Sequence, residues 1–290
     1  MKLVLPAYAK INLGLRIIGK RDDGYHELET VLHQVNLGDT IEIQSVAGSM
    51  LRFECDDAAL PADESNLCVR AALLMREKFG VRQGARIRLS KRIPYGAGLG
   101  GGSSDAAVVL LGLNRLWMLG LEVPVLQTLA AKLGSDVPFF ILGGSALARG
   151  RGEIVEHFDF THDYHIAIVY PGLKIATSWA YSQVKMGLTK TKKYLTLARF
   201  NDRNYNNVDF LGSLQNDFEA VVFPHYDVLV RLKRVMFEHG AVMVGMSGSG
   251  SAMFAFFSHK SEVKGLRQAL RDRYFIFDGR HVTWGASQLI

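Results

Sequence analysis

The sequence is poor in cysteine: Cys55 and Cys68 are its only two in 290 residues. They do not form a CxxC pair and are too few for a disulfide framework or a zinc site. A reduced, cytoplasmic setting is therefore expected. No apolar run approaches the ~18 residues that a membrane span requires. Ala7-Tyr8-Ala9 imitates a signal cleavage box, but Leu3-Val4-Leu5 before it is shorter than the roughly 7 residues of an h-region. Neither a targeting signal nor a membrane partner is expected. Internal repeats and low-complexity tracts are missing too, as is any carboxylate cluster that would mark a dedicated metal cage. The net charge of +6 is compatible with nucleic acid, but equally with phosphate-rich small substrates. The one local basic run, Lys190-Thr191-Lys192-Lys193, has no interleaved aromatic ladder and reads as a solvated loop. Small molecules rather than nucleic acid are the expected partners, for a monomer or a homodimer.

What is present is an ordinary globular composition, 48% hydrophobic and 21% charged. The length suggests about two domains. Residues 10–18 alternate, with Ile11, Leu13, Leu15 and Ile17 on one face, as in a half-buried strand. Arg21-Asp22-Asp23-Gly24 is turn chemistry. Strands are expected at Thr40–Val46, Leu51–Glu54 and Ala85–Ile93, with a helix over Leu67–Phe79 capped by Ser65 or Asn66 and closed by Gly80. Ala106, Val109, Leu110, Leu113, Leu116 and Trp117 form one helical stripe, for which Ser103 or Ser104 is a natural N-cap. A shorter helix spans Pro124 to Gly134. Phe139–Leu142 and Ser145–Ala148 flank Gly143-Gly144 in a hairpin pattern. The second half opens with a buried strand at His165–Tyr170, and Lys185–Asp209 reads as a polar surface excursion. Helices follow near Phe218–Val222, Val228–His239 and Glu262–Arg273. Strands are expected at Ala241–Gly245, Ala252–Phe257 and near Val282. The order implies two α+β domains meeting near 150–165.

Three glycine loops compete for a phosphate role. In Pro94-Tyr95-Gly96-Ala97-Gly98-Leu99-Gly100-Gly101-Gly102-Ser103-Ser104 the missing Cβ atoms let backbone amides approach an anion closely. The helix that follows adds free amides and a partial positive charge. Together they make a nest for a di- or triphosphate, and the expected ligand is ATP. Gly96, Gly98 and Gly101 also satisfy the dinucleotide pattern GxGxxG. However, Lys91, Arg92 and Pro94 are a poor ending for a buried parallel strand. Gly14–Arg21 fits a P-loop except that Arg21 stands where Ser or Thr must ligate magnesium. The third loop, Gly245–Ser251, lies between two strands and taken alone is a tight hairpin.

Pro94–Ala107, together with Pro6–Leu13 and Met246–Ser251, resembles the three motifs of the superfamily of galactokinase, homoserine kinase, mevalonate kinase and phosphomevalonate kinase, in the expected order. Arg21–Leu28, Gly134–Phe140, Pro171-Gly172, Thr177 and Tyr181 are most similar to the branch acting on 4-diphosphocytidyl-2-C-methyl-D-erythritol in the non-mevalonate isoprenoid pathway. The resemblance implies an α+β fold: an S5-domain-2-like ATP-binding domain over 1–157 and a ferredoxin-like domain over 158–290, with substrate and ATP meeting between them. It implies an ATP-dependent phosphotransfer to an alcohol, with Pro94, Gly96, Ala97, Gly98, Leu99, Gly100, Gly101, Gly102, Ser103 and Ser104 on the nucleotide. Mg²⁺ would arrive with ATP, and Ser103 or Ser104 could ligate it.

A hydroxyl nucleophile needs its proton taken. Asp136, read as a buried carboxylate beside apolar Val137, Phe139 and Phe140, needs a partner or it will hold its proton. Lys10, flanked by Ala9 and Ile11 in a strand, is an odd lysine unless paired. With the resemblance, Lys10 faces Asp136 and Asp136 is the general base. Without it, a strand-edge lysine and an ordinary N-cap aspartate are the readings to prefer. Tyr25 and Tyr181 would offer faces to cytosine, His26 its ring and backbone, and Asn12, Thr177 and Gly248 further acceptor contacts. A homoserine- or mevalonate-type kinase and a non-catalytic nucleotide- or RNA-binding module are the alternatives.

Overall fold

The computed structural model of the protein describes residues 1–184 and 211–283. The expected excursion at Lys185–Asp209, with its basic run, lies outside the described residues. Strands β1 (Lys2–Lys20) and β2 (His26–Val46) form a long antiparallel ribbon across the Arg21–Gly24 turn. On its other side β2 pairs antiparallel with β4 (Gly84–Ser90) through Thr40–Val46, and with β5 (Ser145–Gly150) through Leu28–His33. β3 (Leu51–Cys55) lies parallel to β4 and β6 (Ile154–Phe158) antiparallel to β5, completing six strands. Helix α1 (Leu67–Phe79) makes the crossover a parallel pair requires. Its ends follow the sequence: Asn66 Oδ1 accepts from Cys68 N at 2.9 Å, and Gly80 closes it in the left-handed region. Helices α2 (Gly101–Leu116), α3 (Val123–Leu133) and α4 (Val137–Leu142) lie between β4 and β5.

The second sheet is antiparallel, with β7 (His165–Tyr170), β8 (Met243–Met246), β9 (Met253–Phe257) and β10 (Phe275–Gly279) in the order β10-β7-β9-β8. It carries α5 (Thr177–Ser182), α6 (Asp217–Val222), α7 (Asp227–Glu238) and α8 (Lys260–Leu270). Among the described residues, no helix is long and apolar enough to cross a membrane.

Three apolar layers hold these elements. α1–α4 cover one face of the first sheet through residues such as Met75, Val109, Leu110 and Phe139. The sheets share a middle layer, where Ile11, Leu13, Val31 and Val35 meet Ile166, Ile168, Phe254 and Phe256. The outer face of the second sheet, with Val169, Ala255 and Phe257, packs on its own helices. Residues 10–15 and 17 are therefore buried, not half-buried as alternation suggested; only Arg16 and Ile18 reach solvent. A register shift in the β1–β2 pairing between Tyr8 and Ala9 exchanges the faces of β1. Leu5 and Ala7 point to the helices, whereas Ala9, Ile11 and Leu13 point to the second sheet. Lys10 and Asn12 consequently turn toward the helix side.

Three local expectations change. Phe139–Leu142 is not a strand: it belongs to α4, closed by Gly143 N donating to Phe139 O at 2.8 Å, and only Ser145–Gly150 extends. A short, wholly buried apolar run has no periodicity to separate helix from strand. α2 starts at Gly101, with Gly100 at φ 71° as its N-cap, so Ser103 and Ser104 fall inside its first turn. The closing strand ends at Gly279, and Val282 instead crosses to the first sheet, donating its N–H to Gln34 O at 2.9 Å.

Candidate active site

Two adjoining cavities meet at Gly98 and Gly100. The larger, about 820 Å³, is lined by Lys10, Asn12, Tyr25, His26, Asp136, Thr177, Tyr181 and Gly248 among others. The smaller, about 300 Å³, is lined by Pro94 to Ser103. The structure thus brings together the expected catalytic and acceptor residues on one side and the glycine loop on the other. Ser104 does not line either cavity; it is buried and its hydroxyl has no partner among the described residues.

The glycine loop is clamped between the halves. Lys10 N donates to Leu99 O at 2.9 Å, Ala252 N to Ala97 O at 3.0 Å, and Ser247 Oγ to Gly98 O at 2.8 Å. Gly98 sits at φ +82°, and a Cβ there would stand 2.1 Å from Ser247 O. Gly245–Ser251 is therefore a cleft-lining loop as well as the β8–β9 hairpin. Asn216 caps α6 through its oxygen and holds this loop by donating to Met246 O and Gly248 O, both at 2.7 Å. Thr177 Oγ1 and Ser249 Oγ lie 2.9 Å apart, tying α5 to the same loop. The Gly14–Arg21 near-match to a P-loop is β-strand through Lys20 and excluded from this role.

Lys10 is 4% exposed, and its ammonium donates to Asn12 Oδ1 at 2.6 Å. Asn12 Nδ2 donates to Thr30 Oγ1, which donates to Gly14 O. Asp136 Oδ2 stands 3.6 Å from Lys10 Nζ, with the aspartate side chain 38% exposed. That corrects the expectation of a buried carboxylate: only the lysine is enclosed. Burial lowers the Lys10 pKa, and the charge of Asp136 opposes the shift. Effective penalties for burying an ion are several kcal/mol, so the lysine needs both partners. Asp136 occupies the N-cap position of α4 but makes no capping bond. Its carboxylate lines the cleft instead.

At the far end of the cleft, His26 and Tyr181 stack with ring centroids 4.8 Å apart and planes at 17°. Phe218 supports Tyr181 edge-on at 4.9 Å, and the Arg151 guanidinium lies 4.8 Å from the centre of the Tyr25 ring. Burial, reinforced by Asp136, pushes the Tyr181 phenol up to about 12. Burial and the nearby charge of Lys20 lower His26, favouring a neutral ring at neutral pH.

Sequence reasoning missed Thr30, Arg151 and Ser249 in the cleft, and a buried triad behind the glycine loop. Lys91 Nζ bridges Asp39 and Asp105, the latter at 2.9 Å. Asp39 also accepts from the backbone of Arg92 and Ile93. The triad pins the start of the loop to the first turns of α2. Lys91 and Arg92 were visible only as a poor strand ending. Desolvation would lower Lys91, but Asp105 and Asp39 outweigh it and its pKa is raised. Desolvation pushes Asp105 from its ordinary 3.8 up to about 8, opposed by Lys91 and reinforced by Asp39. A raised carboxylate binds its proton in the folded state where the unfolded chain has released it. Its contribution to stability therefore falls as pH rises from about 4 to about 8. Asp105→Asn should remove that slope. Urea unfolding of wild type and variant across this window checks it, and parallel curves would rule the effect out.

The sequence is matched by the family model "GHMP kinases N terminal domain" over residues 66–144 and by "GHMP kinases C terminal" over 190–276. It is 42% identical over 269 residues to the 4-diphosphocytidyl-2-C-methyl-D-erythritol kinase of Chlorobium chlorochromatii (strain CaD3), covering 92% of this chain and 93% of that protein. A crystal structure of 4-(cytidine 5'-diphospho)-2C-methyl-D-erythritol kinase superposes with a TM-score of 0.82 at 35% identity, covering 97% of this chain and 99% of the other. A homoserine kinase from Cytophaga hutchinsonii ATCC 33406 shares the fold at 20% identity, with a TM-score of 0.73 over 99% and 96% of the two chains. With the glycine loop, the Lys10–Asp136 pair and the two-sheet architecture in place, the chain belongs to the 4-diphosphocytidyl-2-C-methyl-D-erythritol kinase family of the GHMP kinases.

Proposed function

We propose that the protein transfers the γ-phosphoryl group of ATP to the 2-hydroxyl of 4-diphosphocytidyl-2-C-methyl-D-erythritol, a step of the methylerythritol phosphate route to isoprenoid precursors. The observation that carries this is the Lys10–Asp136 pair, 3.6 Å apart in a cleft that shares Gly98 and Gly100 with the glycine-loop cavity. Asp136 takes the proton of the acceptor hydroxyl, and Lys10 holds the carboxylate in place. Amides from Gly98 to Ser103, at the N-terminal end of α2, meet the transferring phosphates, while the Ser104 amide already donates to Gly100 O. Little covalent work falls to the protein in phosphoryl transfer; positioning and charge stabilisation dominate.

Magnesium fits as a companion of ATP rather than as a resident ion. Ser103 borders the loop cavity and offers a hard oxygen of the kind Mg²⁺ takes, whereas the Ser104 hydroxyl is buried and lines neither cavity. Bound there, the ion would neutralise charge on the phosphates. The acceptor's cytosine is held near Tyr25, His26 and Tyr181, with Asn12, Thr177 and Gly248 along the remaining wall. We assign ATP binding to residues 1–157 and completion of the cleft to 158–290, in a cytoplasmic enzyme of small molecules that acts as a monomer or homodimer.

The test is steady-state turnover of ATP with the cytidylated alcohol, homoserine and mevalonate in turn. Only the first should support turnover. Comparable kcat/KM with homoserine or mevalonate would overturn the acceptor and leave the kinase. A non-catalytic module would turn over none of the three. Tyr181→Ala should raise the acceptor KM about 5- to 150-fold, the loss of one base stack of about 1–3 kcal/mol. ATP affinity should stay near wild type, and Tyr181→Phe should behave like the parent. Equal losses for both substrates with a lower melting temperature would instead mark Tyr181 as packing.

A further inference from the structure

Away from the cleft, three histidines converge at the seam between the two sheets. His33 comes from β2, His162 from the connection between β6 and β7, and His281 from the segment after β10 that pairs with Val35. His33 Nε2 and His162 Nε2 are 3.1 Å apart, and one ring nitrogen of each of the three residues lies within 4.8 Å of the others. His33 and His162 are buried, and His281 half-buried. Phe160 and Phe256 wall the cluster.

We infer that His33, His162 and His281 bind a divalent transition metal of the zinc class, clipping the C-terminal segment and the β6–β7 connection to β2. Zn–N bonds of about 2.0–2.1 Å in tetrahedral geometry set ligand nitrogens ~3.3–3.4 Å apart, close to the His33–His162 spacing. His281 closes the remaining gap by swinging inward from its half-exposed strand end, and a water completes the four ligands. The outer contact is already built: His33 Nδ1 lies 2.8 Å from Ser145 Oγ. A ligating imidazole usually donates its other N–H to such a partner, which fixes its tautomer. Without a metal, a proton on one of the facing Nε2 atoms satisfies that pair, but His281 Nδ1 remains buried with no hydrogen-bond partner among the described residues. Burial keeps all three rings less basic than usual, with neighbouring imidazoles and Arg280 adding to the effect and Asp163 opposing it at His281.

The experiment uses the untagged full-length protein, stripped with EDTA and re-equilibrated with Zn²⁺ or Co²⁺ near neutral pH. It should retain one equivalent of Zn²⁺ by atomic emission, show the intense visible bands of tetrahedral Co²⁺, and melt at a temperature that rises with Zn²⁺ concentration. His162→Gln and His281→Gln should lose the bands and the shift. Ser145→Ala should weaken Zn²⁺ binding about 10–100-fold, as losses of outer partners do. His225→Gln, exposed and outside the cluster, should match the parent. His281→Gln keeps the test informative should His162→Gln not fold. A stripped parent that takes up no Zn²⁺, or uptake unchanged in the folded His281→Gln protein, overturns the site.

Discussion

Asp136→Asn should lower kcat by about 10²–10⁴-fold, the usual contribution of a general base, while affinity for an ATP analogue stays close to the parent. The amide is nearly isosteric with the carboxylate but cannot accept the hydroxyl proton. Asp136 makes no capping bond to α4, so the exchange breaks no cap. Lys10 keeps Asn12 at 2.6 Å but loses its carboxylate partner at 3.6 Å. Some melting temperature should be lost with it, because a buried ammonium with an incomplete set of partners is costly. Single-turnover rates, calorimetric titration with the analogue and a melting curve separate these effects. Retention of most of kcat in the folded variant would remove Asp136 as the base and leave it as the counter-charge of Lys10.

The second large effect belongs to Gly98→Ala. The added methyl would lie 2.1 Å from Ser247 O and 3.1 Å from Gly250 O, backbone atoms that cannot rotate away. The two glycine loops must then part, on the wall common to both cavities. Misplacement by about 1 Å can cost on the order of 10²-fold in rate, and kcat/KM should fall by about that much. Gly120→Ala is the control. It has φ +62°, and a Cβ there would have nothing within 4 Å, so it carries the left-handed penalty without the collision. Similar kinetics for both variants would mean that the loops do not need their close approach.

The glycine loop was legible because its composition and the helix after it leave few other uses for the segment. The pairing of Lys10 with Asp136 was not legible from the residues alone. A strand lysine and an aspartate at the start of a helix are each ordinary, and 126 positions separate them. Family resemblance joined them, and the distance of 3.6 Å agrees. Residues 26–39 of β2 escaped notice because Leu28–Val35 is buried throughout, so the stretch shows no alternation. The shift at Tyr8/Ala9 is equally silent in sequence, although it decides which side of the sheet receives Lys10. The Asp39–Lys91–Asp105 triad joins residues from β2, the loop entry and α2, a proximity that only the tertiary fold creates.

The apolar layer between the sheets bears on how the molecule comes apart. Ile11, Leu13, Val31 and Val35 have no cover of their own once Ile166, Ile168, Phe254 and Phe256 withdraw. Neither half can open without exposing the inner surface of the other. Heating should therefore give one calorimetric transition, with van't Hoff and calorimetric enthalpies in agreement, rather than two melting steps. The same coupling resists hinge bending at the cleft. Substrate capture then falls to local side-chain and loop rearrangement, on the faster timescales of such motions, rather than to the slower swing of one half against the other.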